Sequence, residues 1–277
     1  MGVKDNGLML VWGATGKTGR RVVERLRGQG ATVRAGSRGA ERPFEWADRQ
    51  GWGAVLEGVT TLYITYQPDL ALPQAQDDIA ALLAMAAAGG TVRRVVLLSG
   101  RGEPGAQACE RLVQASGFEW TVVRASWFAQ NFDEGMLAQA VRSGVLALPA
   151  GDVAEPFIDV EDIAEIVVEA MLGDQHVGQL YEVTGPGLWT FGEVAHLLTQ
   201  VTGRPVRYVP CTPAQMEAGL CASGLPAPMA AALTHLFVMV LDGRNAHTCD
   251  GVERALGRSA GSLEDFARRA AAQGVWS

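Results

Sequence analysis

A doubly wound α/β fold is predicted by three observations. Short apolar runs alternate with helical patterns through the first half of the chain. A glycine-rich turn directly follows the first run, and helical, proline-punctuated patterns take over towards the C-terminus. Strands alternating with helices pair in parallel through right-handed crossovers.

The elements are read in order. Leu8-Met9-Leu10-Val11-Trp12 forms a first buried strand. Arg20 to Arg27 then places Val22, Val23 and Leu26 on one helical face, and Gly28 and Gly30 close it. Thr32-Val33-Arg34-Ala35, Thr61-Leu62-Tyr63-Ile64-Thr65, Arg94-Val95-Val96-Leu97-Leu98 and Trp120-Thr121-Val122-Val123-Arg124 are the next four strands. An alanine-rich helix from about Leu72 to Ala88 and another over Gln107–Ala115 separate the later ones. A helix opening at Asp159-Val160-Glu161-Asp162, with Ile163, Ile166, Val167 and Ala170 inward, leads to a strand at Leu180–Thr184. Thr190-Phe191-Gly192-Glu193 has the spacing of a capping box for a helix ending near Gly203. Pro205, Pro210, Pro213, Pro226 and Pro228 break the helical patterns beyond it. The expected organisation is therefore a Rossmann-type domain over residues 1–184 and a smaller, mainly helical C-terminal substrate lobe over 185–277. The lobe is expected at the carboxyl ends of the strands, where ligands bind in open α/β sheets.

Composition narrows the function classes. The formal net charge is −7 and no long basic run occurs, which argues against a nucleic-acid surface. Cys109, Cys211, Cys221 and Cys249 lie far apart without metal-like pairing, so reduced and mostly buried thiols are expected. His176, His196, His235 and His247 show no ligand spacing, and no metal is expected. Met1 to Gly7 lacks the apolar segment of a signal peptide, and Ile79–Ala88 and Met229–Leu241 are too short to span a bilayer. A cytoplasmic protein without membrane contact is expected.

The turn Gly13-Ala14-Thr15-Gly16-Lys17-Thr18-Gly19 carries the chemistry. A phosphate must approach the backbone closely at a helix start, where N–H groups and the helix dipole favour an anion, and side chains obstruct that approach. Three glycines in this spacing mean little alone, but these follow a strand directly and open an amphipathic helix. A triphosphate loop is excluded because Val11 stands where its first glycine is required. The end of the second strand reads Gly36-Ser37-Arg38, where NAD enzymes place an acid on the ribose 2′-OH. Ser37 and Arg38 suit a 2′-phosphate instead, with Lys17 and Arg20 adding positive field, so NADP(H) is expected.

These residues resemble the NmrA-like family of atypical short-chain dehydrogenase/reductases. The similar stretches are Val11–Gly19, Val96–Gly100, Trp120–Phe132 and Pro156–Ala164, joined by Asp242–Ala246 and Leu263–Ala267, so the likeness spans nearly the whole chain. It implies an NADP-binding fold with a small substrate lobe, in a group holding both reductases and regulators that bind the dinucleotide without turnover. It also implies that Thr65, Tyr66, Ser99 and Gly100 flank the ribose and nicotinamide. Ser126, Trp127 and Phe128 should line the nicotinamide end, with Asn131 fixing the loop. One departure stands out: the Tyr-x-x-x-Lys proton relay of standard members is missing, and Ala106 and Arg111 stand where many relatives carry histidine and lysine. Tyr66, Ser99 and Arg101 are then the candidate catalytic helpers. The expected function is an NADPH-dependent reductase of a small, flat or aromatic acceptor such as a quinone, iminium, dye-like molecule or enone. The alternative is a non-catalytic NADP(H)-sensing regulatory protein. An isomerase or dehydratase with tightly held cofactor is a remoter reading, and a homodimer is compatible with the sequence.

Overall fold

A computed structural model describes residues 7–277; the segment before Gly7, read above for a signal peptide, lies outside the described residues. Ten strands are described: β1 Leu8–Trp12, β2 Thr32–Gly36, β3 Val59–Ile64, β4 Arg94–Gly100, β5 Glu119–Ala125, β6 Val145–Leu148, β7 Ala154–Glu155, β8 Gln179–Val183, β9 Trp189–Thr190 and β10 Arg207–Pro210. The α-helices are α1 Lys17–Gly28, α2 Trp52–Leu56, α3 Pro73–Gly89, α4 Pro104–Gln114, α5 Met136–Ser143 and α6 Val160–Leu172. They continue with α7 Phe191–Thr202, α8 Pro213–Ala222, α9 Ala227–Val240, α10 Gly251–Leu256 and α11 Leu263–Ala272.

The chain divides into two compact units. The first runs to Ala125 and adds Val160–Val183 and Asp250–Arg258; the second takes Ser126–Asp159, Thr184–Cys249 and Ser259–Ser277. The cut expected after residue 184 falls beside one of these crossings. Two segments lie on the other side of that cut, Ser126–Asp159 in the second unit and Asp250–Arg258 in the first, because strands and helices distant in sequence complete each unit.

The first unit is a six-stranded parallel sheet in the order β2-β1-β3-β4-β5-β8. Helices α1 and α6 pack together on one face, and α2, α3 and α4 cover the other. Both faces are therefore buried, which explains why the strands are nearly continuous apolar runs. Leu10, Trp12, Leu62, Ile64, Val95 and Leu97 point to the core shared with α2–α4 and are fully enclosed. Each such side chain contributes about 1.5–3 kcal/mol by leaving water. The inward faces read from the sequence are buried as expected: Val22, Val23 and Leu26 on α1, and Ile163, Ile166, Val167 and Ala170 on α6. The strand order reverses at β1, with β2 on one side and β3 on the other, and ligands settle at such a switch point.

The second unit is mainly helical. Helix α7 opens with the expected capping box: Thr190 Oγ1 accepts from the Glu193 N–H at 3.2 Å, and Glu193 Oε2 accepts from the Thr190 N–H at 2.8 Å. Phe132, Phe157, Phe191 and Trp276 form its core with Leu198, Leu263 and Phe266. The Trp276 indole N–H donates to the Phe132 carbonyl at 2.8 Å, tying the chain end to this core. Among the described residues no helix is long and apolar enough to cross a membrane. Among the described residues no cysteine is in a disulfide, but only Cys109 is buried, which corrects the expectation of mostly buried thiols; Cys221, on α8, is exposed.

Candidate functional site

The turn between β1 and α1 is shaped by its glycines. Gly13 has φ +82°, a conformation L side chains rarely adopt, and a Cβ there would overlap Thr65 Oγ1. A Cβ on Gly19 would overlap the Gly13 carbonyl. The turn is latched to β2, since the N–H groups of Gly13 and Ala14 donate to the Gly36 carbonyl at 2.9 and 3.1 Å. Thr65 Oγ1 donates to the Trp12 carbonyl at 2.9 Å, and the buried Tyr63 hydroxyl donates to Thr18 Oγ1 at 3.0 Å. The carboxyl ends of β1, β2 and β3 are thereby held together. Helix α1 begins without a side-chain cap and without an acidic residue in its first turn. An uncapped start of this kind offers backbone N–H groups and the positive end of the helix dipole to an anion.

Beside the turn lies a cleft of about 320 Å³. One side is Gly13, Thr15 and Gly16, the next is Gly36, Ser37 and Arg38, and Thr65 and Gln67 follow from β3. Of the expected cofactor residues, the structure thus brings Gly13, Thr15, Gly16, Ser37, Arg38 and Thr65 to one cavity. Lys17, Thr18 and Gly19 continue from it into the first turn of α1. The remaining wall, Phe44-Glu45-Trp46-Ala47, was not anticipated. These residues sit in an irregular stretch without periodicity, and only the aromatic spacing hinted at a packed segment.

Fit to a dinucleotide is tested by this cradle. Its glycines stand where a Cβ would fill the turn, the helix start is uncapped, and a hydroxyl and a guanidinium occupy the end of β2. The residues fit an NADP-type ligand: the turn would hold the pyrophosphate, and Ser37 and Arg38 the adenosine 2′ end.

The three expected helpers are each bonded to a carboxylate, buried for Tyr66 and Ser99 and part-exposed for Arg101. Tyr66 donates its hydroxyl to Asp78 Oδ2 at 2.6 Å, and Arg49 reaches Asp78 Oδ1 at 2.6 Å. Burial, reinforced by Asp78, pushes the Tyr66 hydroxyl well above the usual tyrosine range. Ser99 Oγ donates to Glu110 Oε1 at 2.6 Å, and Arg101 Nε to Glu182 Oε1 at 2.8 Å. Register explains the second network. Ser99 on β4 stands opposite Arg124 on β5, which stands opposite Glu182 on β8, so the three side chains form a row. Arg124 grips Glu110 through Nη2 at 2.5 Å and Nε at 2.9 Å, and reaches Glu182 at 3.1 Å.

A second feature, without a signal along the chain, lies next to Gly100. The Glu103 carboxyl lies so close over Gly100 that a Cβ there would overlap it. Burial, with the negative charges of Asp69 and Glu110, pushes Glu103 up to about 8. Burial also raises Asp69, against the 2.8 Å hydrogen bond it accepts from the Ala71 N–H. Cys109 is raised to about 12 by burial, which makes it an inert thiol.

Ser126, Trp127 and Phe128 belong to the second unit. Ser126 is buried and its hydroxyl has no hydrogen-bond partner. Trp127 is half-buried and packs edge-on against Phe191 and Phe237, with ring centroids 5.8 and 5.0 Å apart. Phe128 bridges to Ile158, and the Asn131 N–H donates to the Phe128 carbonyl at 3.0 Å.

The profile of the NmrA-like family matches residues 107–267 of this chain. The chain belongs to the NmrA-like family. A relative within it, the (4-alkanoyl-5-oxo-2,5-dihydrofuran-3-yl)methyl phosphate reductase of Streptomyces griseus, is 31% identical over 94% of this chain and 96% of its own length. The NAD(P)H azoreductase of Xenophilus azovorans is 37% identical, over 59% of this chain; the match spans little more than half, 57%, of the azoreductase. Among solved structures, the NADPH complex of the Escherichia coli quinone oxidoreductase aligns with a TM-score of 0.75 at 23% identity, covering 95% of this chain and 99% of that one. At that identity the last likeness concerns the fold, and it agrees with the parallel sheet described above. On α4 Ala106 is enclosed and Arg111 is exposed.

Proposed function

We propose that this NmrA-like chain is an NADPH-dependent reductase that delivers hydride to a small, flat or aromatic acceptor. The observation that carries it is the cleft uniting the glycine turn with Ser37 and Arg38. When bound, the nicotinamide supplies the hydride. The chain's own residues bind and orient: the turn accepts the pyrophosphate, and Arg38 neutralises the 2′-phosphate. Azo reduction, reduction of an unsaturated furanone phosphate and quinone reduction are the activities that the similar proteins above are named for, and the acceptor class is drawn from them. All are conjugated electrophiles.

The committed state of Tyr66, Ser99 and Arg101 supports an acceptor that needs no positioned tyrosine acid. In this proposal the three residues shape the carboxyl edge of the sheet rather than shuttle protons. A cationic carbon, an iminium or a quinone takes hydride without prior protonation, so orientation in an apolar pocket suffices.

Calorimetric titration with NADPH and NADH tests the cofactor, and loss of absorbance at 340 nm with a quinone, azo dye and enone panel tests turnover. Removing Arg38 deletes a charge-assisted bond of about 1.5–3 kcal/mol, so Arg38→Ala is expected to weaken NADPH about 10- to 100-fold and leave NADH unchanged. Equal affinity of the variant and the unaltered chain for NADPH refutes the 2′-phosphate assignment. NADPH binding without turnover across the panel would instead favour the sensing role.

A further inference from the structure

Trp46 is half-buried. Its ring meets Tyr66 at 4.5 Å, Trp12 at 5.2 Å, Phe44 at 5.3 Å and Trp52 at 5.6 Å between centroids. Four aromatic neighbours support it from within unit one, while the residue also lines the cleft beside the glycine turn. A tryptophan partly open to a polar cleft leaves apolar surface in water that a flat ligand can cover.

The segment carrying Trp46 is fixed at several points. The Phe44 N–H donates to the Ser37 carbonyl at 3.1 Å, and the Trp52 indole N–H donates to the Glu45 carbonyl at 2.9 Å. Tyr66, against which the indole leans, is held by Asp78, and Asp78 by Arg49. The ring is therefore set by apolar packing and hydrogen bonds of the protein itself. A surface organised before binding costs little ordering entropy when a ligand arrives.

Its place in the cleft identifies the ligand group. In a bound dinucleotide the ribose carbon bearing the 2′ substituent adjoins the carbon bearing the base. A ribose held at Ser37 and Arg38 must set its adenine within one ring's reach of them. The wall that leaves Arg38 and returns to the cleft is Phe44–Ala47, and Trp46 is its half-buried aromatic ring.

We infer that the indole of Trp46 is the platform on which the adenine of the dinucleotide stacks. Stacking of a base on an aromatic ring contributes about 1–3 kcal/mol and is indifferent to the substituent on the ribose. Trp46 therefore raises affinity for NADPH and NADH alike, whereas Arg38 separates them. The inference rests on the dinucleotide reading of this cleft.

The test is calorimetry of the unaltered chain, Trp46→Leu and Trp46→Phe with NADPH, NADH and adenosine 2′,5′-bisphosphate. Trp46→Leu keeps an apolar side chain on the core but removes the π face. It is expected to weaken all three ligands by a similar factor, about tenfold. Trp46→Phe is expected to stay within about threefold of the unaltered chain, because phenylalanine also offers a stacking face. Quenching of tryptophan emission by adenosine 2′,5′-bisphosphate should be strong in the unaltered chain and largely lost in Trp46→Phe. A Trp46→Leu protein with unchanged melting temperature and unchanged affinity for the bisphosphate overturns the assignment, as does a loss confined to NADPH. An unaltered chain that binds none of the three ligands overturns the dinucleotide reading, and the platform with it.

Discussion

Replacing Glu103 by glutamine should make the protein more stable at pH 8 and change little at pH 5. In the fold this carboxyl holds its proton up to about 8, against 4.5 for the free side chain, because burial and the charges of Asp69 and Glu110 oppose ionisation. Between those values the unfolded chain binds fewer protons than the native one, so stability falls as pH rises. Below 4.5 both states are protonated, above about 8 both are ionised, and the contribution is flat at either end. The interval corresponds to a ceiling of about 5 kcal/mol at about 1.4 kcal/mol for each pH unit. Water entry and small movements of this partly accessible group relieve much of that, leaving an expected loss of about 2 kcal/mol. For a protein of this size that is about 4–8 °C in melting temperature. Thermal unfolding from pH 5 to 8.5 gives the comparison directly. The melting temperature of Glu103→Gln should exceed that of the unaltered chain progressively from about pH 5 to 8. Two curves that stay parallel over this range would mean that Glu103 ionises normally, and that the carboxyl group over Gly100 is well solvated.

Other outcomes follow from the same structure. Gly19→Ala places a Cβ against the Gly13 carbonyl, so the turn must shift; NADPH affinity should fall by at least about tenfold while circular dichroism stays native. Arg124→Met strips the buried Glu110 of its bidentate partner, and stability measured by urea unfolding should drop by about 3–5 kcal/mol. Most of that loss should return in the double variant Arg124→Met/Glu110→Gln, because no uncompensated charge then remains in the interior.

Much of the fold was legible along the chain. The six sheet strands lie within two residues of where the sequence placed them, most plainly the inner β1, β3 and β4, because a strand buried on both faces has to be largely apolar. The capping box at Thr190 was equally plain, since the hydrogen bonds that define it join Thr190 and Glu193, three residues apart. The glycine turn and Ser37-Arg38 were readable for a similar reason: each closes on neighbours along one strand–helix–strand unit.

What the sequence by itself determined, then, is the layered α/β architecture, the glycine turn after β1 and the place of Ser37-Arg38 at the end of β2. All of these arise from local periodicity and local turn geometry. Tertiary structure alone decided the rest. It joined Phe44–Ala47 to the cleft, tied Tyr66 to Asp78 and Ser99 to Glu110, and set Glu103 among other carboxyls over Gly100. It also put Ser126–Asp159 in the second unit and Asp250–Arg258 in the first. Those outcomes depend on which strands become neighbours and in what register, and on how much water is excluded between them. No spacing along the chain encodes either quantity, and so a tyrosine, a serine and an arginine expected to aid catalysis are found bonded to carboxylates of other elements.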